Sequence, residues 1–213
     1  MRHRRETKLS DRQRRVLLAA RKARWLLVAL LIVAGVMVAD RLGLFGRRPP
    51  SHYDDERYHA KTFRVVRVID GDTLDVEPPD ARRKHTRVRL WGVDTPETKH
   101  PRMGVQHFGA EAHQFTRDAC TGRDVALKLL PRQTRDKYGR LLAYVILPDG
   151  RMLNRELVRL GYGYADPRFE HPHGREFAGL QEEAMKRRLG LWRDVAAEDL
   201  PYYYQGRLKL PAR

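Results

Sequence analysis

The chain has one cysteine, Cys120, in 213 residues. No disulfide can form within it, so the fold must rest on its core. Cys120 itself reads as a small buried hydrophobe. Long apolar runs are also missing. The longest, residues 25–39, holds fifteen apolar residues, short of the roughly 20 a spanning helix needs. There is no internal repeat. Acids are the scarcer charge, 27 against 43 Lys and Arg, giving +16 and a pI near 10.4. A basic balance points to anionic partners, nucleic acid or an anionic membrane surface. With 41% hydrophobic and 33% charged residues, wholesale disorder is excluded.

The charge is unevenly spread. Residues 1–24 carry ten Lys and Arg against two acids, whereas residues 49–213 carry 30 against 24. The globular part is therefore only mildly basic, and the overall pI says little about nucleic acid. Residues 1–24 read as a basic cytoplasmic head. Apolar character resumes at Leu42, Leu44 and Phe45, so residues 25–45 read as a single transmembrane helix with Arg24 and Arg41 snorkelling. The heavier positive flank stays in the cytoplasm, which puts the rest of the chain outside, periplasmic or extracellular. The competing reading is a signal peptide, with secretion after cleavage. Against it, the run offers no good small-x-small cleavage site: Met37 stands where a small residue is wanted.

Residues 46–60 read as a linker, with Pro49, Pro50 and a charged stretch from Asp54 to Arg57. Alternating residues 61–69 predict a strand that breaks at Asp70-Gly71-Asp72-Thr73 and resumes through Leu74 and Val76. Arg82, Arg83 and Lys84 form a basic hairpin tip. Residues 98–106 predict a long loop. Phe108, Ala112, Phe115 and Ala119 fall at helical spacing and predict a helix over 107–120. Strands follow at 125–129 and 141–147, and helices near 152–160 and 174–189. Five strands and about three helices in short pieces predict an α+β domain built on a small closed barrel, ending near residue 195, with 196–213 as a tail.

The stretch Val88-Arg89-Leu90-Trp91-Gly92-Val93-Asp94-Thr95-Pro96-Glu97 organises the rest. It begins as a strand and ends in a turn, because Pro96 fixes its own φ and keeps Thr95 out of the helical region. A strand that only packed would not carry a cation, two carboxylates and a hydroxyl at its end. Arg89 and Asp94 are five apart and point to opposite faces of an ideal strand. For both to serve one site the strand must bend, and Gly92 is where it can. Two further turns carry charge, Asp70-Gly71-Asp72-Thr73 and Asp136-Lys137-Tyr138-Gly139-Arg140. Asp72 and Asp94 are hard oxygen donors, suited to Ca²⁺ or Mg²⁺. Arg89 and Arg140 can fork onto phosphate oxygens. Glu97 remains as a candidate base.

Three strings in order, VDTPETKHP at 93–101, FGAEA at 108–112 and DKYGRLLAYV at 136–145, resemble the staphylococcal nuclease (thermonuclease) family. The resemblance covers residues 61 to about 194, including Leu153-Asn154 and Gly190-Leu191-Trp192. It implies an OB-fold, a five-stranded barrel with three helices, and Ca²⁺-dependent hydrolysis of DNA and RNA to a 3′-phosphate and a 5′-hydroxyl. By position it implies Asp72, Asp94 and the Thr95 carbonyl as metal ligands. It implies Arg89, Glu97 and Arg140 as catalytic residues. Asp70 matches an acid behind the ligands, and Lys137 and Tyr138 lie near the substrate phosphate. Residues 164–173 are rearranged, which leaves Tyr164 as the nearest counterpart of a second substrate-facing tyrosine. The expectation is a monomeric, membrane-tethered, sugar-nonspecific nuclease. The rival class is a non-catalytic OB-fold module that binds nucleic acid or a protein partner. His171-Pro172-His173 reads as a solvated loop rather than a metal site, and Trp91 and Trp192 as core.

Overall fold

In the computed structural model, residues 11–41, 51–81, 83–98, 106–131, 133–208 and 210 are described. The chain divides into two units, Met1–Arg48 and Pro49–Arg213. In the first, α1 runs Asp11–Arg41, and the large apolar side chains between Trp25 and Val38 are exposed. Among the described residues, no helix is long and apolar enough to cross a membrane. The expected transmembrane helix at 25–45 is therefore not supported. Its last four residues, like residues 1–10 of the basic head, lie outside the described residues.

In the second unit the alternating patterns become strands. These are β1 (Lys61–Asp70), β2 (Thr73–Val76), β3 (Thr86–Leu90), β5 (Asp124–Lys128) and β6 (Leu141–Ile146), with a short β4 (Val93–Asp94) after β3. They close a barrel in the order β1-β2-β3-β6-β5, with β5 returning to pair with β1. All neighbours are antiparallel except β3 and β6. Val65, Leu74, Val76, Val88, Leu90, Val125, Leu127, Leu141 and Val145 point inward and are buried. Each such side chain stabilises the fold by about 1.5–3 kcal/mol relative to exposure. Residues one position out of phase face the other way: Arg87 and Arg89 alternate with buried Thr86, Val88 and Leu90.

The predicted helices appear as α3 (Gly109–Cys120), α4 (Leu153–Arg159) and α5 (Gly174–Lys186). Asn154 in α4 is buried, donating to the Trp91 and Ala143 carbonyls and accepting from the Val145 amide. One side chain thus ties α4 to β6 and to the chain leaving β3. Cys120 is free and buried, as expected, and Trp91 and Trp192 are core.

Two stretches expected outside the fold belong to it. Ser51–Tyr58, read as linker, forms α2, and its Asp54 and Tyr58 are fully buried. Apolar periodicity could not reveal α2, because the two residues it buries fully are one charge and one aromatic, Asp54 and Tyr58, with no apolar repeat between them. The tail also packs. Leu200, Tyr204 and Leu208 join Tyr164, Met185, Leu191, Trp192 and Val195 in a second apolar cluster. That cluster backs a two-stranded sheet of β4 with β7 (Tyr164–Ala165), in which Asp94 pairs with Tyr164. Tyr164 is buried edge-on against Trp192 and is no substrate-facing residue.

Candidate active site

The strand bends where expected. Gly92 sits at φ +72 between β3 and β4, a conformation that strains other residues, and a Cβ there would strike the His171 ring. The bend brings Arg89 Nη2 to 2.5 Å from Asp94 Oδ1. The other arm of the same guanidinium pairs with Asp72 Oδ2. Two carboxylates from different turns therefore converge on one point.

Asp72 is held from behind. Its Oδ1 accepts from the Thr73 hydroxyl at 2.9 Å and its Oδ2 from the Thr95 amide at 2.8 Å. Gly71 allows the close approach, since a Cβ would meet Thr95 Oγ1 at 2.7 Å. Thr116 of α3 donates to the Gly71 carbonyl at 2.6 Å, pinning the turn to a helix. Asp72, Arg89, Asp94 and Thr95 thus form one cluster at the strand ends.

The other expected residues make no hydrogen bond or ion pair to this cluster among the described residues. Glu97 is exposed, and among the described residues its carboxylate has no partner. Its backbone is fixed instead: the amide donates to Gln106 Oε1 at 2.7 Å and the carbonyl accepts from the Gln106 amide at 2.9 Å. Residues 99–105 of the expected loop lie outside the described residues. Arg140 immediately precedes Leu141, which pairs with Val88 of β3. Arg140 Nε donates to Asp136 Oδ2 at 2.6 Å. Lys137 and Arg140 stand 5.0 and 5.4 Å from the centre of the exposed Tyr138 ring. Asp70 turns to local amides, accepting from Gly71 at 3.0 Å and Thr98 at 3.4 Å, and burial raises its pKa.

The donors fit a hard cation. Two carboxylates converge and already hold one positive group between them. Among the described residues, no group of three or more His, Cys, Asp or Glu could hold a metal.

Comparison with known proteins agrees with this geometry. Residues 87–194 match the family described as staphylococcal nuclease homologue. The chain is 35% identical to a thermonuclease of Staphylococcus hyicus over 170 residues, 78% of this chain and 94% of that protein. It is 41% identical to a thermonuclease of Staphylococcus intermedius over 136 residues, 62% of this chain and 77% of that one. It is 36% identical to endonuclease YncB of Bacillus subtilis over 131 residues, 59% of each.

The chain belongs to the staphylococcal nuclease homologue family.

With the family comes its enzyme class, a nuclease and hydrolase. This nuclease adds two residues to the cluster that the sequence did not reveal. The Tyr203 hydroxyl donates to Asp94 Oδ2 at 2.7 Å, and Arg168 Nη2 lies 3.1 Å from the same oxygen. Arg168 also stacks over the Tyr203 ring, 4.3 Å from its centre. Burial, then the charge of Asp94, raises the Tyr203 pKa, so the phenol stays a donor. The run Tyr202-Tyr203-Tyr204 was the only available signal, and nothing in it names Asp94 as partner. His171 also departs from expectation. It packs on Gly92, and its Nδ1 lies 2.8 Å from the Tyr144 hydroxyl, so 171–173 is not simply a solvated loop.

Proposed function

We propose that this nuclease hydrolyses phosphodiester bonds of DNA and RNA without regard to sugar, using Ca²⁺, and leaves a 3′-phosphate and a 5′-hydroxyl. The observation that carries this is the convergence of Asp72 and Asp94 on Arg89 at the strand ends. In this reading Asp72, Asp94 and the Thr95 carbonyl hold the cation. When bound, the cation supplies positive charge beside a phosphate oxygen.

The chain's own residues do the rest. Attack of water on phosphorus forms one P–O bond and breaks the bond to the 5′ oxygen, and the departing oxygen takes a proton. The transition state carries more negative charge on its phosphoryl oxygens than the substrate does. Guanidiniums aimed at that charge therefore bind the transition state better than the ground state. Arg89 and Arg140 supply them, and Arg140 is held in place by Asp136. Glu97, beside the cluster on a fixed backbone, orients the attacking water and accepts its proton. Tyr138 and Lys137, exposed on the next loop, meet the substrate phosphate, while Asp70 braces the turn behind Asp72 through the Gly71 amide.

We also infer that the enzyme acts as a monomer tethered to a membrane, with its N-terminus cytoplasmic and the barrel outside. The support is in the sequence: the large apolar residues between Trp25 and Val38, which are exposed, the apolar character resuming at Leu42, Leu44 and Phe45, and the basic flank upstream. Plasmid DNA and a single-stranded RNA incubated with the full chain test the chemistry. Both are degraded in Ca²⁺ and intact in chelator; equal degradation in chelator contradicts the reading. Carbonate-resistant membrane fractionation with protease accessibility tests the tether, and a chain found wholly in the soluble fraction contradicts it.

A further inference from the structure

Beside Arg89, on the outer face of the barrel, a second group of charges has no role in the chemistry above. Asp75 of β2 lies between Arg87 of β3 and Arg67 of β1, its register partner on each side. Arg87 Nε donates to Asp75 Oδ1 at 2.9 Å and its Nη2 to Oδ2 at 3.3 Å. Arg67 Nε donates to Oδ2 at 2.9 Å, with Nη2 also 2.9 Å away. The Asp75 carboxylate is 3% exposed, while the Arg67 and Arg87 side chains are 59% and 30% exposed.

This is more cation than a buried carboxylate requires. One fork would neutralise Asp75; two leave a net positive charge facing solvent. Each guanidinium has five N–H donors, and Asp75 engages two from each. The remaining donors of Arg67 and Arg87 have no partner among the described residues. A buried carboxylate needs a partner, but one arginine supplies it, so the need to pair Asp75 does not by itself account for the second. Burial disfavours the Asp75 charge, but the hydrogen bonds and charges of Arg87 and Arg67 outweigh it and hold the carboxyl below its ordinary range. Asp75 thereby acts as a fixed anchor that keeps two flexible arms side by side.

Their position relates them to the active site. Arg87 and Arg89 share one face of β3, two residues apart, about 6.5 Å along the strand. The register of β3 with β6 brings Arg140, just before Leu141, alongside the same stretch. The strand leads from there to the hairpin tip, where Arg83 and Lys84 are exposed. With the scissile phosphate at Arg89, a nucleic-acid strand lying along β3 would bring its neighbouring phosphate to Arg87.

We propose that Arg67 and Arg87, held by Asp75, form a second phosphate subsite for the nucleotide next to the scissile bond. The proposal rests on the phosphodiesterase reading of Arg89, and its test separates the two. The full chain and the variants Arg67→Gln, Arg87→Gln and Arg67→Gln/Asp75→Asn/Arg87→Gln are compared. The triple variant leaves no carboxylate buried without a partner; if it does not fold, Arg67→Gln alone decides, since Arg87 still neutralises Asp75. Two substrates are used, a single-stranded 12-mer and a nucleoside aryl phosphodiester with only one phosphate.

The ratio of KM on the 12-mer to KM on the aryl diester is expected to rise about tenfold in the triple variant, and the salt slope of 12-mer binding to fall by about one per arginine removed. An unchanged ratio, or an unchanged salt slope, overturns the subsite. Fluorescence anisotropy of a labelled 12-mer reads binding without cleavage. Wild-type chain that binds but cleaves neither substrate would refute the phosphodiesterase reading, and the salt slope then judges the subsite alone.

Discussion

Arg135 and Arg89 each lie between two aspartates drawn from distant parts of the chain. Arg135 joins Asp54 of α2 to Asp80 of the β2–β3 hairpin, with donor distances of 2.5–3.1 Å, and its last donor meets the Gly139 carbonyl. All five N–H groups are used, and the three side chains are 4%, 0% and 10% exposed. Burial opposes the Arg135 charge, and the two aspartates more than compensate. Around Arg89 the composition is the same but the burial is less complete, with Arg89 11% and Asp72 8% exposed. Asp94 is 23% exposed, and the cluster ends at a turn rather than under a helix. An arginine between two aspartates is a brace when every donor is committed and water is excluded. It is a candidate site when one of the carboxylates stays open to solvent, as Asp94 does. The brace also serves the site, because Arg135 holds Gly139, the residue before Arg140.

Breaking the brace should have the larger effect on stability. Asp54→Ala leaves Arg135 buried with three of its five hydrogen bonds and one of its two carboxylates, and a loss of about 3–5 kcal/mol is expected in urea unfolding. Deleting Met1–Arg48, which spares Asp54, should leave a soluble and active enzyme, whereas deletion through residue 60 should behave like Asp54→Ala. Breaking the site should do the reverse. Arg89→Ala and Arg140→Ala should each lower kcat at least about 100-fold, with circular dichroism and unfolding midpoint close to the parent. Near-native turnover in either variant would remove that arginine from the mechanism. The smallest effect is expected at Tyr203→Phe, which deletes one hydrogen bond to Asp94. Divalent-cation affinity should weaken about tenfold while the fold changes by under about 1 kcal/mol, measured by calorimetry and urea unfolding.

What could be read from the sequence follows the same division. The barrel strands and α3 to α5 were legible because apolar residues repeat at periods of two and 3.6. The bend at Gly92 was legible because Arg89 and Asp94 could not otherwise meet. The cluster of Asp72, Arg89, Asp94 and Thr95 followed from charged residues massed at strand ends. Asp54, Asp80 and Arg135 were not legible. They are charged residues at ordinary surface-like positions, and only their pairing across 81 residues makes them interior. The same holds for Tyr203, which meets Asp94 across 109 residues, and for Arg168. Periodicity reports which face of an element is apolar; it carries no information about which charges will find each other.

The central claim is that Asp72 and Asp94 form one cation site completed by substrate. Calorimetric titration of the full chain with Ca²⁺, with and without a nucleoside 3′,5′-bisphosphate, tests it directly. Tighter Ca²⁺ binding is predicted with the nucleotide present, and weakened binding in Asp72→Asn without unfolding. Equal Ca²⁺ affinity in the two titrations, or parental affinity in Asp72→Asn, would contradict it.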